Sequence, residues 1–400
     1  MSLAPVLEED DDFLVGTESV DAAIIGGGVV GLSVACELRR AGVERVCVYE
    51  KETSLGQGSS SRANGGVRAQ FTTKTNIEFS LHSITEIERL RNEYEEELSF
   101  RQVGYLLFTG DSDRAESLER AVEQQRSLGV DTEILSPDGI AELAPIVRTE
   151  GLVAATYHAR DGYLDPHGLV TALEHEARRA GVEIRTGSEA ESIRRVDGEF
   201  EFSVGGRRCS ARWVVNAAGA RAGAVASQLH VDVPVQPVRR NLAYLHDPDV
   251  PDMPLPMCVD LDTGVLVRRE GPSGYVIAYS DPDDPPGWDM AVDPMFLPAL
   301  AARIGNRFPH LEGKRIHPKH CWAGLYPETP DGHAIIGEAP SVPRFVQCVG
   351  FGGHGLMHSP AAGRAVAELV TTGTCDTFDL HPLRPTRFAE GDLVVETAVL

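Results

Sequence analysis

The chain is poor in lysine: Lys51, Lys74, Lys314 and Lys319 are all it has, and arginine supplies the rest of its basic charge. Basic residues are themselves outnumbered, 37 against 60 acidic, for a formal charge of −23. A surface of that sign repels phosphate backbones, so no nucleic acid partner is expected. No apolar run approaches the roughly 20 residues of a membrane helix, so no membrane span is expected either. Residues 1–17 carry an acidic run from Glu8 to Asp12 where a secretory leader would be basic, and they read as a loose tail. The cysteines (Cys36, Cys47, Cys209, Cys258, Cys321, Cys348 and Cys375) are scattered, with no C-x-x-C pair and no histidine cluster beside them. That pattern excludes a disulfide frame and a metal site, and fits reduced thiols in a cytoplasmic protein.

What is present is a pattern of alternating helix and strand. With 42% hydrophobic and 24% charged residues, 400 residues suffice for two or three domains, or for one built from interleaved segments. An apolar run at 20–25 ends in Gly26-Gly-Gly-Val-Val-Gly31, continues at helical spacing to Gly42, and is followed by a second apolar run at 46–50. Strand, glycine turn, helix and strand make a βαβ unit. Within it Gly26 permits a tight turn, Gly28 lets backbone approach a pyrophosphate, and Gly31 lets helix and strand pack closely. The helix start adds free N–H groups and a positive dipole end. Glu50, closing the second strand, is placed to take both ribose hydroxyls. The motif specifies a dinucleotide without deciding between FAD and NAD.

Helices are expected over 76–98, 113–129 and 168–181 and from about Pro360 to Thr371; strands are expected over 102–108, 182–185, 199–205 and 213–219. Residues 234–326 hold short β-like runs between Pro- and Asp-rich loops. The fold expected is α/β (α+β overall). A discontinuous Rossmann-like dinucleotide domain is assigned to residues 18–93, 160–230 and 326–372, and a mostly antiparallel β substrate domain to 94–159, 231–325 and 373–400. Two glycine-rich stretches stand out, Gly58-Ser-Ser-Ser-Arg-Ala-Asn-Gly-Gly-Val-Arg68 and Gly350-Phe-Gly-Gly-His-Gly355. By composition the first fits a surface loop as well as it fits backbone laid against a flat ring.

Six motifs taken in order carry a resemblance that spans residues 18 to 390. They are Gly26–Gly31 with Glu50, Ser-Arg-Ala-Asn-Gly-Gly-Val-Arg-Ala-Gln-Phe at 61–71, Asp161-Gly-Tyr-Leu-Asp-Pro166, Val214-Val-Asn-Ala-Ala-Gly219, the stretch from Trp322 to Asp331, and Gly350–Gly355. In these the chain resembles the FAD-dependent amine oxidoreductases of the D-amino acid oxidase superfamily, among them sarcosine oxidase, dimethylglycine dehydrogenase and the L-proline dehydrogenase β subunit. The resemblance implies FAD, its ADP half held by Gly26, Gly28, Gly31 and Glu50. Ser60, Ser61, Arg62, Asn64, Gly65 and Gly66 would follow the ribityl chain and ring. Ala190 would meet the adenine, with Ala218 and Gly219 near the ADP moiety. Gly353, His354, Gly355, Leu356 and Met357 would close over the pyrimidine end of the flavin, at a helix start that suits negative charge.

Three departures from the family pattern bear on the chemistry. Members with covalent flavin carry a cysteine where this chain has Gly324, so FAD is expected to be non-covalent; Cys321 lies out of register and reads as a packed residue. Of the two cations that hold a substrate carboxylate in the sarcosine oxidases, Arg68 is kept and the lysine is replaced by Met357. The oxygen-activating lysine aligns with Val276, which favours a dehydrogenase over an oxidase. Arg68, His354, Tyr326, Tyr244 and Arg268 are the residues expected to line the substrate side, with His354 an acid/base candidate because imidazole titrates near neutrality. The activity expected is oxidation of a small secondary or tertiary amino acid of the sarcosine, dimethylglycine or proline class, by hydride transfer to flavin, with electrons leaving to an acceptor protein subunit. The alternative is an FAD-binding assembly or electron-transfer subunit that works through partner proteins.

Overall fold

A computed structural model describes residues 18–281 and 283–396. The expected acidic tail, residues 1–17, lies outside the described residues. Strand β1 (Glu18–Ile25) leads through the glycine turn into helix α1 (Val29–Arg40) and then strand β2 (Val46–Tyr49). Neighbouring residues of β1 enter opposite cores. Ile24 packs with Val34, Leu38 and Val215 on one face, while Ala23 and Ile25 pack with Tyr49, Phe200 and Phe345 on the other. A strand covered on both faces can be apolar at every position, which is why the run at 20–25 shows no alternation.

β1 sits in the middle of a sheet ordered Ile335–Ala339, Val342–Val349, Arg207–Asn216, β1, β2, Glu183–Arg185. The contacts from Val342–Val349 to Glu183–Arg185 are all parallel. Its strands come from three separate stretches of chain, 18–49, 183–216 and 335–349. A second sheet of eight strands runs Cys321–Glu328, Gln236–His246, Gly274–Tyr279, Val265–Arg269, Met257–Asp260, Tyr105–Thr109, Ala154–His158, Glu133–Ile134. It is antiparallel except where Met257–Asp260 meets Tyr105–Thr109. Leu107, Val259 and Leu266 stand on the face turned toward Tyr163, whereas Phe108, Val267 and Ile277 enter a separate core with helix Phe296–Arg307. Of the segment assigned to the second domain at the C-terminal end, Phe378 and Leu383 pack against the parallel sheet.

One helix begins earlier than its proline suggests. The expectation was a start near Pro360, yet the helix runs Gly355–Thr372 with Pro360 inside it. Proline has no N–H to give the carbonyl of Leu356, and the Ser359 hydroxyl donates to that carbonyl instead, at 3.1 Å. The five-residue difference matters because it places the helix start beside the late glycine cluster. No described helix is long and apolar enough to cross a membrane.

Candidate active site

The glycine turn is built as its spacing requires. Gly26 has φ +116°, and a Cβ there would stand 2.5 Å from the Ala217 carbonyl oxygen. A Cβ at Gly31 would lie 1.9 Å from the Gly26 oxygen, so the helix approaches the turn as closely as backbone allows. Gly28 caps α1, and the first N–H of that helix, from Val29, donates to the Ser60 hydroxyl at 3.1 Å. Glu50 accepts from the N–H of Gly27 at 2.7 Å and of Glu52 at 2.9 Å, one bond on each oxygen. Those bonds aim the carboxylate and leave each oxygen a further lone pair for a ribose hydroxyl.

From this turn a cavity of about 540 Å³ runs past Ser59 and Ser60 to Tyr326, Gly353, Gly355 and Leu356. Ala190, Ala218, Gly219 and Glu50 line its first half. A long, mostly apolar channel with a helix N-terminus and a carboxylate at one end fits a dinucleotide. Ser59, Ala63, Leu325 and Tyr326 also line a second cavity of about 40 Å³ under the antiparallel sheet, so the two share a wall. Its other walls include Arg62, Asn64, Arg240, Leu242, Val259, Leu266 and Gly324.

The stretch from Gly58 to Arg68 is therefore no free surface loop. Ser59 donates to the Leu325 carbonyl, Arg62 Nη1 to that of Ala323 at 3.0 Å, and Trp322 Nε1 to that of Arg62 at 3.1 Å. Arg268 Nε donates to the Asn64 carbonyl at 2.6 Å, and Asn64 Oδ1 accepts from the Gly66 N–H at 2.8 Å. Arg268 thus holds the stretch against the sheet; it also pairs with Glu270. Ser61, Gly65 and Gly66 line neither cavity: the Ser61 N–H bonds to the Gly56 carbonyl, and Gly65 and Gly66 contact Leu164 and Tyr163. Tyr244 lines neither cavity; its hydroxyl donates to Ser273 at 3.4 Å and its ring faces His320. The motif at 161–166 has a structural task here. Buried Asp161 accepts from the Ala69 N–H at 2.8 Å, Gln70 Nε2 at 3.1 Å and His158 Nδ1 at 2.7 Å, fixing the two residues that follow Arg68.

The early arginine and the late histidine meet at Phe71. The Arg68 guanidinium lies 4.0 Å from the Phe71 ring centroid, and the His354 ring packs edge-on to the same ring at 4.9 Å. Arg68 is 2% exposed, with Tyr105, Glu396, Asp161 and Tyr326 in its electrostatic neighbourhood. Burial lowers its pKa, against the pull of those groups. His354 caps helix Gly355–Thr372, and Gly353 packs against the Tyr326 ring. The expectation of an imidazole titrating near neutrality is overturned. Burial first, then the charges of Arg68 and His333, hold His354 well below its ordinary value, and burial, then His354 and Arg68, lower His358 likewise. A neutral His354 has no imidazolium proton to give at physiological pH. Neither His354 nor Met357 lines the channel; Met357 packs into the core beneath it.

Two residues of this region were not among the expected site residues. Arg240 pairs with Asp284 and Glu328, and its guanidinium also lies 5.5 Å from the Tyr326 ring and lines the smaller cavity. Glu396 is buried with its carboxylate at the start of helix α2 (Lys74–Glu93), accepting from the N–H of Thr72 and Thr73, from Thr73 Oγ1 at 2.8 Å and from Asn76 Nδ2 at 3.1 Å. A carboxylate there meets both free N–H groups and the positive end of the helix dipole.

Comparison with known proteins agrees with this geometry. The family model described as FAD dependent oxidoreductase matches residues 21–369. The chain is 31% identical to the FAD-dependent oxidoreductase domain-containing protein 1 of Bos taurus, over 96% of this chain and 87% of that one. Its structure is similar to that of L-proline dehydrogenase from P. horikoshii, with a TM-score of 0.88 and 27% identity over 94% of this chain and 100% of the other. It is similar also to glycine oxidase from Geobacillus kaustophilus, with a TM-score of 0.82 and 27% identity over 93% and 99% of the two chains.

Proposed function

The chain belongs to the family of FAD-dependent oxidoreductases, and from that premise we propose that it oxidises a small amino acid bearing a secondary or tertiary amine, of the sarcosine, dimethylglycine or proline class. The observation that carries this reading is Arg68, a cation buried next to Phe71, with His354 on the same ring and with Tyr326, which lines both cavities, in its field. Arg68 itself lines neither cavity and donates to the Gln70 carbonyl, but Tyr326, which lines both, lies in its field. A buried guanidinium so close to the cavity wall suits a substrate carboxylate, and bidentate pairing would set the amine-bearing carbon in one orientation. FAD, when bound, supplies the two-electron acceptor for the hydride leaving that carbon. The chain's own part is to orient the carboxylate, to wall the ring with Tyr326, Leu356 and Leu325, and to keep water out with the apolar face of Val259, Leu266 and Leu242. The neutral His354 suits a reaction that starts from a neutral amine and needs no imidazolium. The likenesses to L-proline dehydrogenase and to glycine oxidase support an amino acid as substrate.

Arg68→Gln should lower kcat/KM about 10–100-fold, the cost of about 1.5–3 kcal/mol for losing a charged hydrogen bond. Steady-state turnover with a dye acceptor measures it, and an unchanged kcat/KM would remove Arg68 from substrate binding. We place the enzyme with the dehydrogenases, because Val276 stands where the sarcosine oxidases carry a lysine. The free cysteines support a cytoplasmic setting. FAD is held without a covalent bond: Gly324 lines the smaller cavity, Cys321 packs into the core with helix Phe296–Arg307, and burial pushes the channel-lining Cys348 thiol up, away from its nucleophilic form. Acid precipitation should therefore leave all the yellow colour in the supernatant; colour retained on the pellet would contradict this.

A further inference from the structure

The mouth of the dinucleotide channel carries a large apolar side chain that is half exposed. Trp288 is 54% exposed, yet it lines the channel, as does its neighbour Met290. Both come from a loop of the antiparallel half of the molecule, and that loop is tied down. Pro286 bridges to Val238, the Gly287 N–H donates to the Pro237 carbonyl at 2.8 Å, and Arg239 holds Asp289 at 3.2 Å and Asp293 at 2.7 Å. Trp288 is thus presented at the rim by a fixed support.

Facing it from the parallel sheet is Arg221, in the turn Gly219–Arg221 that follows strand Arg207–Asn216. Its guanidinium lies 5.4 Å from the Trp288 ring. Among the described residues that guanidinium makes no hydrogen bond and no ion pair. Glu52, which feels its charge, sits further off. An arginine over an indole face is a favourable pair, and here it joins the two halves of the molecule across an open channel. The rim on Arg221's side continues through Ala224 and Gln228, whose side chain reaches the Ala190 carbonyl at 3.4 Å. This is the nucleotide end, with Ala190 and Glu50, and not the end that holds Tyr326.

We propose that Trp288 and Arg221 together cap the ADP half of the bound dinucleotide: the indole covers the nucleotide and the guanidinium faces its pyrophosphate. The inference rests on FAD binding alone and stands whether or not the amine substrate is right. A half-exposed indole gains apolar contact when the channel is filled, and an arginine without a carboxylate partner gains a diphosphate.

The test reads ADP and FAD binding by the full-length protein. With Trp213 and Trp322 changed to Phe, Trp288 is the one remaining tryptophan. ADP, which does not absorb indole emission, should shift that emission to shorter wavelength and shield it from acrylamide in the FAD-stripped protein. In the otherwise native chain, Trp288→Ala should weaken ADP and FAD alike by roughly tenfold, and Arg221→Gln by a similar factor. Trp288→Phe should restore most of the loss, which an unfolded variant would not do. The proposal is overturned if ADP leaves the Trp288 emission and its quenching unchanged. It is equally overturned if Trp288→Ala keeps both affinities within about twofold, or if it weakens FAD but not ADP, since the indole would then touch the flavin half.

Discussion

Gly31→Val will purify without flavin. A Cβ at this position would stand 1.9 Å from the Gly26 carbonyl oxygen, and that neighbour is backbone that cannot rotate away. Valine adds two methyl groups to the same spot. Relief requires α1 to move off β1, which carries Leu32, Val34 and Leu38 out of fully buried positions and moves the N–H groups that face the pyrophosphate. Overpacking of this kind costs about 1–3 kcal/mol or more, and misplacing the helix start adds to the loss at the cofactor. FAD affinity should fall roughly hundredfold or further. Flavin content after gel filtration and a fluorescence titration with added FAD measure it. A yellow, stoichiometric variant would mean that the turn does not hold the cofactor.

The second large effect lies at Arg387. Arg387 and Asp331 are both fully buried and joined by two hydrogen bonds, of 2.7 and 3.0 Å, while Arg387 also donates to the His333 carbonyl at 3.0 Å. The pair anchors the segment after residue 380 to the Thr-Pro-Asp turn that follows Tyr326. Arg387→Ala leaves a buried carboxylate without its cation, at a cost of about 3–5 kcal/mol. Burial acts to raise the Asp331 pKa, and the hydrogen bond and charge of Arg387 overcome it, so the net direction is downward. A depressed carboxylate contributes stability that is present above its unfolded pKa and lost as pH falls through the folded one. Without Arg387 the upward push of burial is opposed only by the His333 N–H bond and the His333 charge, and the carboxylate is relieved by protonation. The gap in melting temperature between native and Arg387→Ala protein should therefore be widest near neutral pH and narrow toward pH 4. A gap independent of pH would show that Asp331 does not carry the charge assigned to it.

How far the molecule was legible depended on whether a feature is local. The βαβ unit could be read because its signals, apolar run, glycine spacing and Glu50, are consecutive, and backbone geometry alone makes them necessary. The stretch from Gly58 to Arg68 could not be separated from a surface loop by composition, because its partners at Leu325, Ala323 and Trp322 lie in a strand far away in sequence. Resemblance, not pattern, brought it to the flavin. Tyr244 was misplaced for a different reason. Its row on the sheet passes through Val276 and Arg268, whereas the smaller cavity lies under the next row, Leu242, Ala278 and Leu266. Two residues along a strand are enough to leave a site. Arg240 was not singled out because nothing local separates it from a solvated surface arginine, and Glu396 left no trace, since an isolated glutamate becomes informative only when α2's first N–H groups are seen around it. The titration of His354 was misjudged because a residue's type gives its pKa in water, and burial at Phe71 decides it here.

The central claim is that this channel brings an amino acid with a substituted amine to bound flavin. An anaerobic titration of the yellow protein with sarcosine, dimethylglycine and L-proline, followed by visible absorbance, tests it most directly. The account predicts that at least one of them bleaches the flavin fully and that Arg68→Gln needs far more of it to do so; a flavin that stays oxidised with the whole set, while dithionite still reduces it, would contradict the claim.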